Sequence, residues 1–101
     1  MQKVLQINMN YNVSTEALRE YFSYLTQPIA NIKGLIWKLW IIDELEKSCG
    51  GVYLFQNTAP VVAYIESDII KEMECNPDLS NIRIVVSDVL PSFSKITRGP
   101  I

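Results

Sequence analysis

Apart from Lys38, every residue from Leu35 to Ile42 is apolar. The run is short and rich in β-branched and aromatic residues, so it reads as a strand rather than a helix. Alternation sends Trp37, Leu39 and Ile41 to one side of it and Ile36, Trp40 and Ile42 to the other. A strand with no polar side must be covered on both faces, so the sheet that holds it needs a layer above and a layer below. Val52 to Phe55 repeats the pattern, with Tyr53 and Phe55 against Val52 and Leu54. The polar segment Asp43 to Ser48 joins the two runs as a hairpin. The Gly50-Gly51 pair predicts a bulge or a close backbone approach where the second run begins.

The remaining elements follow from the period of the apolar residues. Lys3 to Tyr11 alternates Leu5, Ile7, Met9 and Tyr11 against Gln6, Asn8 and Asn10, which is a strand. From Thr15 to Ile32, Leu18, Phe22, Leu25, Ile29 and Ile32 step by four and three, giving a helix with Ser14 as N-cap and Gly34 as its stop. Pro28 should kink or offset its last turns. A second helix is expected from Thr58, as N-cap, to about Met73, with Val62, Ile65, Ile69 and Met73 facing inward. Beyond Pro77, Asn81 to Val89 alternates as a fourth strand, while the tail from Pro91 to Ile101 has no period.

The order is β-α-β-β-α-β, an α+β arrangement of ferredoxin-like type in which two helices cover one face of a four-stranded antiparallel sheet. At 101 residues the chain holds one domain, 1–101. Two helices leave the second sheet face bare, and a second copy of the chain packed on it across a two-fold axis would cover both. A homodimer is therefore expected.

Nine basic and eleven acidic residues give a net charge of −2, with no basic cluster to hold nucleic acid. No stretch approaches the roughly 20 apolar residues of a membrane span, and the first residues lack the pattern of a secretory signal, so a cytoplasmic protein is expected. Cys49 and Cys75 are separated by 25 residues without a second pair, which suggests neither a disulfide framework nor a zinc site. Histidine is absent. That removes Ser-His-Asp and Cys-His chemistry and histidine-ligated haem or zinc, and neither a dinucleotide turn nor a phosphate loop is present, so no cofactor is expected.

The side chains available for chemistry are few. Trp37, Trp40, Tyr53 and Phe55 can wall an apolar pocket for a small aromatic ligand, or they can simply fill the hairpin core and an interface. Gln6, Asn8 and Asn10 form a polar row on a central strand, where polar groups should be paired or line a cavity. Asn8 is the candidate hydrogen-bond donor to an oxyanion, with Tyr53 as the alternative and Gln6 as a substrate contact; a buried structural amide is the competing account of Asn8. Lys38 is either a base of lowered pKa or an edge-strand lysine that discourages aggregation, and the second is preferred. Arg83 and Arg98 can anchor an acidic ligand or pair with carboxylates.

The segments Gly34-Leu35-Ile36-Trp37-Lys38-Leu39-Trp40 and Gly50-Gly51-Val52-Tyr53-Leu54-Phe55 resemble the YdhR-type monooxygenase family, as do Leu5-Gln6-Ile7, Ala63-Tyr64-Ile65-Glu66 and the region from Val89 to Ile96. The resemblance implies a dimeric α+β barrel, an apolar pocket in each subunit and oxidation of aromatic compounds without metal or bound cofactor. Family members that carry a histidine in the first strand differ from this chain, which has Asn8 there. The expected function is thus a cofactor-independent monooxygenase acting on a small hydroxylated aromatic compound, with a non-catalytic dimeric binding module as the alternative.

Overall fold

Strand β1 (Lys3–Tyr11) runs through the middle of a four-stranded antiparallel sheet, flanked by β3 (Ser48–Phe55) and β4 (Leu79–Asp88), with β2 (Leu35–Asp43) outside β3. The computed structural model describes residues 1–101. Its helices are α1 (Thr15–Ala30), α2 (Thr58–Ile65), α3 (Asp68–Cys75) and α4 (Pro91–Ile96). No helix is long and apolar enough to cross a membrane. The ferredoxin-like order expected from the sequence is present.

Register explains which residues reach the core. Leu5 pairs with Tyr53, Ile7 with Gly51 and Met9 with Cys49. These residues, together with Tyr11 and Phe55, point toward the helices and are almost completely buried against Leu18 and Ile29 of α1, Val61 and Tyr64 of α2, and Ile70 and Met73 of α3. Ser14 caps α1 as expected, its side chain accepting from the Ala17 N–H at 3.1 Å. The helix ends at Ala30, and Gly34, at φ +92°, then turns the chain into β2.

The segment expected as one helix is two. Asn57 is the N-cap of α2 in place of Thr58, and Ser67 stands in extended conformation between the helices as N-cap of α3, with its hydroxyl donating to Tyr64 O at 2.6 Å. Ser67 followed by Asp68 is a helix-start signal in its own right. Because the break resets the helical phase, Val61 and Tyr64 are buried while Val62, expected inward, is exposed.

At Gly50-Gly51 the structure shows the close approach and not the bulge. A Cβ on Gly50 would lie 1.8 Å from Ile7 O, so β1 and β3 meet there without room for a side chain. The irregularities fall instead between Leu35 and Trp37 in β2 and between Asn8 and Asn10 against β4.

The sheet face away from the helices carries Gln6, Asn8 and Asn10, Trp37, Leu39 and Ile41, Val52 and Leu54, and Val85. Leu39, Ile41 and Val85 are exposed there. The tail, whose sequence has no period, forms α4 and brings Pro100 back to β2, where its carbonyl accepts from Trp37 Nε1 at 2.8 Å. Arg83 donates only a long bond to Asn81 O, and the single ion pair in the chain is Lys3 with Asp88, so the carboxylate pairing open to Arg83 and Arg98 is not formed.

Candidate active site

The bulge at Ile36 fixes the facing of β2. It places Trp37 opposite Leu54 on the open face and Lys38 opposite Tyr53 on the helix face. Lys38 therefore lies inside, over aromatic rings, with Nζ 3.3 Å from the Trp40 ring centroid and 4.5 Å from that of Tyr53. Gly51 makes this possible: a Cβ there would come within 2.5 Å of Lys38 Cε.

Beside Lys38 a cleft of about 230 Å³ opens between the C-terminal half of α1 and β2, lined by Thr26, Ile29, Leu35, Ile36, Trp37 and Trp40. A second hollow of about 230 Å³ lies on the other side of Trp40, against Arg19 and Phe22. The Phe22 and Trp40 rings, with centroids 5.0 Å apart, form the wall where α1 meets the strand. Behind Lys38, Tyr53 and Tyr64 share a hydroxyl–hydroxyl hydrogen bond of 2.7 Å, and Phe55 stacks on Tyr53 at 6.0 Å.

The electrostatics follow from burial. Desolvation pulls the Lys38 ammonium down to about 7, with the nearby Cys49 thiol a smaller influence in the opposite sense. The ring faces of Trp40 and Tyr53 also favour the charged form, and the result is an amine poised between its two states near neutrality. Burial pushes the Cys49 thiol up to about 11 and the Tyr64 hydroxyl up to about 12, and it holds Tyr53 far above the usual phenol range. At neutral pH both tyrosines are hydrogen-bond donors or acceptors and not bases. Lys38 is the one group here able to accept a proton at that pH.

The residues expected to form the site are divided between the two faces of the sheet. Trp40 lines the cleft, Trp37 borders its mouth with its N–H engaged by the tail, and Tyr53 and Phe55 are buried in the core behind Lys38, outside the cleft lining. Gln6 and Asn8 lie on the opposite face, Asn8 beside a shallow hollow of about 110 Å³ with Ile41, Asp43 and Ser48. Within one chain neither amide meets the Lys38 cleft. Lys38, expected to be an edge-strand lysine, instead borders the cleft, and Tyr64, which no sequence signal singles out, lies behind it bonded to Tyr53. The signal for Lys38 was the alternation of β2, which puts it on the face of Trp40 and Ile42.

The sequence profile of the family described as "Putative mono-oxygenase ydhR" matches residues 4–100. The chain belongs to this mono-oxygenase family. The family's activity class is thereby a monooxygenase-type function. No curated protein matches the chain in sequence. Among solved structures, a protein of unknown function from Nitrosomonas europaea is similar at a TM-score of 0.76 and 15% identity, over 88% of this chain and 89% of that one. SnoaB, a cofactor-independent oxygenase from Streptomyces nogalater, superposes at 0.69 with 8% identity over 89% and 97%. MhuD, with two manganese protoporphyrin IX molecules bound per active site, does so at 0.66 with 15% identity over 86% and 94%. At such identities these likenesses show the fold alone, and the contrast between the last two shows that this fold serves different chemistries.

Proposed function

We propose that the protein is a cofactor-independent monooxygenase that oxidises a small hydroxylated aromatic compound in the cleft between α1 and β2. The observation that carries this reading is the Lys38 amine held inside an aromatic-walled cleft with a pKa of about 7. A phenol that gives its proton to Lys38 becomes an electron-rich anion beside the ammonium so formed. The ring carbon para to the phenolate oxygen then reduces O₂, and a C–O bond forms. The peroxide anion recovers the proton from Lys38. The O–O bond of the resulting hydroperoxide breaks, and the hydroxide released leaves as water with the proton of the ring C–H, so that the carbon becomes a quinone carbonyl. One oxygen atom enters the product, the other leaves as water, and the substrate supplies all the electrons.

Oxygen consumption across a panel of phenols and 1-naphthols that carry hydrogen at the para carbon tests this, with Lys38→Met as the comparison. Wild-type turnover should rise through pH 7, and the variant should lose on the order of a hundredfold, the range set by removal of a positioned base. Tight binding without oxygen uptake across the panel would assign the cleft to a carrier instead.

The open sheet face supports a homodimer as the working form. Leu39, Ile41 and Val85 stand exposed around the polar row of β1, in a patch that a second sheet would cover. In that dimer Asn8 and Gln6 belong to the interface. Sedimentation should give twice 11.5 kDa, and Leu39→Asp should shift the population to monomer. A wild-type monomer at micromolar concentration would remove this part of the proposal.

A further inference from the structure

We infer that Lys38 is a covalent binding site for small aromatic aldehydes, which it captures reversibly as an imine. Three geometric features carry the inference. The Lys38 amine makes no hydrogen bond or ion pair, yet it borders an open cleft rather than a sealed interior. Apart from Thr26 the cleft walls beside it are apolar or aromatic, and about 230 Å³ exceeds the roughly 150 Å³ of an engineered cavity that takes up benzene. The nitrogen is held above two ring faces by the space left at Gly51, so it is fixed at one end of the cleft instead of sweeping through solvent.

The step balances without an added oxidant or reductant. The Nζ lone pair attacks the carbonyl carbon, the C=O π bond opens to a hydroxyl, and loss of that hydroxyl with an N–H proton releases water and leaves C=N. Water departs through the cleft mouth. The reaction needs the neutral amine, which burial favours. The groups facing the amine do not oppose this: Cys49 and Tyr53 of β3 and Tyr64 of α2 all stay uncharged at neutral pH, and α1 presents Thr26 and Ile29, with Arg19 confined to the far side of Trp40. The other lysines are differently placed. Lys3 pairs with Asp88, Lys47 donates to Val13 O, and Lys33, Lys71 and Lys95 are exposed.

The test is reductive trapping with 4-hydroxybenzaldehyde and cyanoborohydride on the folded protein at pH 7, read by intact mass and peptide mapping. One adduct per chain is expected, with at least about tenfold more label on Lys38 than on any other lysine, and a labelling rate that rises through pH 7. Lys38→Arg should abolish the dominant adduct. Label spread evenly over the surface lysines, or a Lys38 peptide left unmodified, would overturn the inference. Neither result depends on oxygen, so this test can fail while the oxygenase reading stands, and the reverse.

Discussion

Replacing Tyr53 by Phe keeps the ring that stacks on Phe55 but leaves the Tyr64 hydroxyl without its partner in a site where both residues are at most 2% exposed. An orphaned buried hydroxyl costs about 1–3 kcal/mol, which for a domain near 100 residues is a fall in Tm of about 5–20 °C. Tyr64→Phe orphans the other hydroxyl and should cost a similar amount. The double variant removes both, leaving two phenylalanines in the same packing, so it should be more stable than either single variant, with a coupling of about 1–2 kcal/mol. Urea or thermal unfolding of the four proteins measures the cycle. Single variants indistinguishable from wild type, or losses that simply add in the double, would show that the hydroxyl pair is not a sealed unit and would refute the reasoning.

Stability should rise above pH 7, level off between about pH 9 and 10, and fall at higher pH. Lys38 titrates from about 7 when folded to 10.5 when unfolded, so between those values the unfolded chain binds more protons and stability rises with pH. Cys49 and Tyr64 are shifted upward, to about 11 from 9.0 and to about 12 from 10.0, so from pH 9 the loss at Cys49 offsets the gain at Lys38, and above about pH 10 the loss at Tyr64 makes stability fall. Denaturant midpoints against pH check this, and Lys38→Met should flatten the limb between pH 7 and 9 while leaving the alkaline fall. Gly50→Ala drives a methyl into the Ile7 carbonyl and should abolish the folded state at 25 °C by circular dichroism, whereas Gly51→Ala meets chiefly the end of the Lys38 side chain, with Leu39 O at 3.3 Å, and should fold but lose the pH 7 limb. A folded Gly50→Ala protein would show that β1 and β3 can separate there.

The local pattern of the sequence carried most of the fold. The β1 alternation and the Ser14 cap each depend on neighbours within a few residues, and each is found where the pattern puts it. The division of α2 from α3 was legible in Ser67-Asp68, but the continuing apolar steps hid it. The site was less legible because it depends on pairings across strands. Trp37 and Lys38 are neighbours in sequence, and only the register at Leu54 and Tyr53 decides that one faces outward while the other is drawn into the core. Nor does the sequence show that Gly51, in a different strand, leaves the space in which the Lys38 stem curls.

The two tryptophans of this chain report on different events. Trp40 lies under the Lys38 amine, so its emission follows the charge on that nitrogen and the arrival of anything that displaces it. Trp37 is tied through its N–H to Pro100, so its emission follows the docking of the tail on β2. Two single-tryptophan proteins, each with the other indole replaced by phenylalanine, would turn one small domain into a pair of optical probes, one for the interior of the cleft and one for the strand edge, with no label attached.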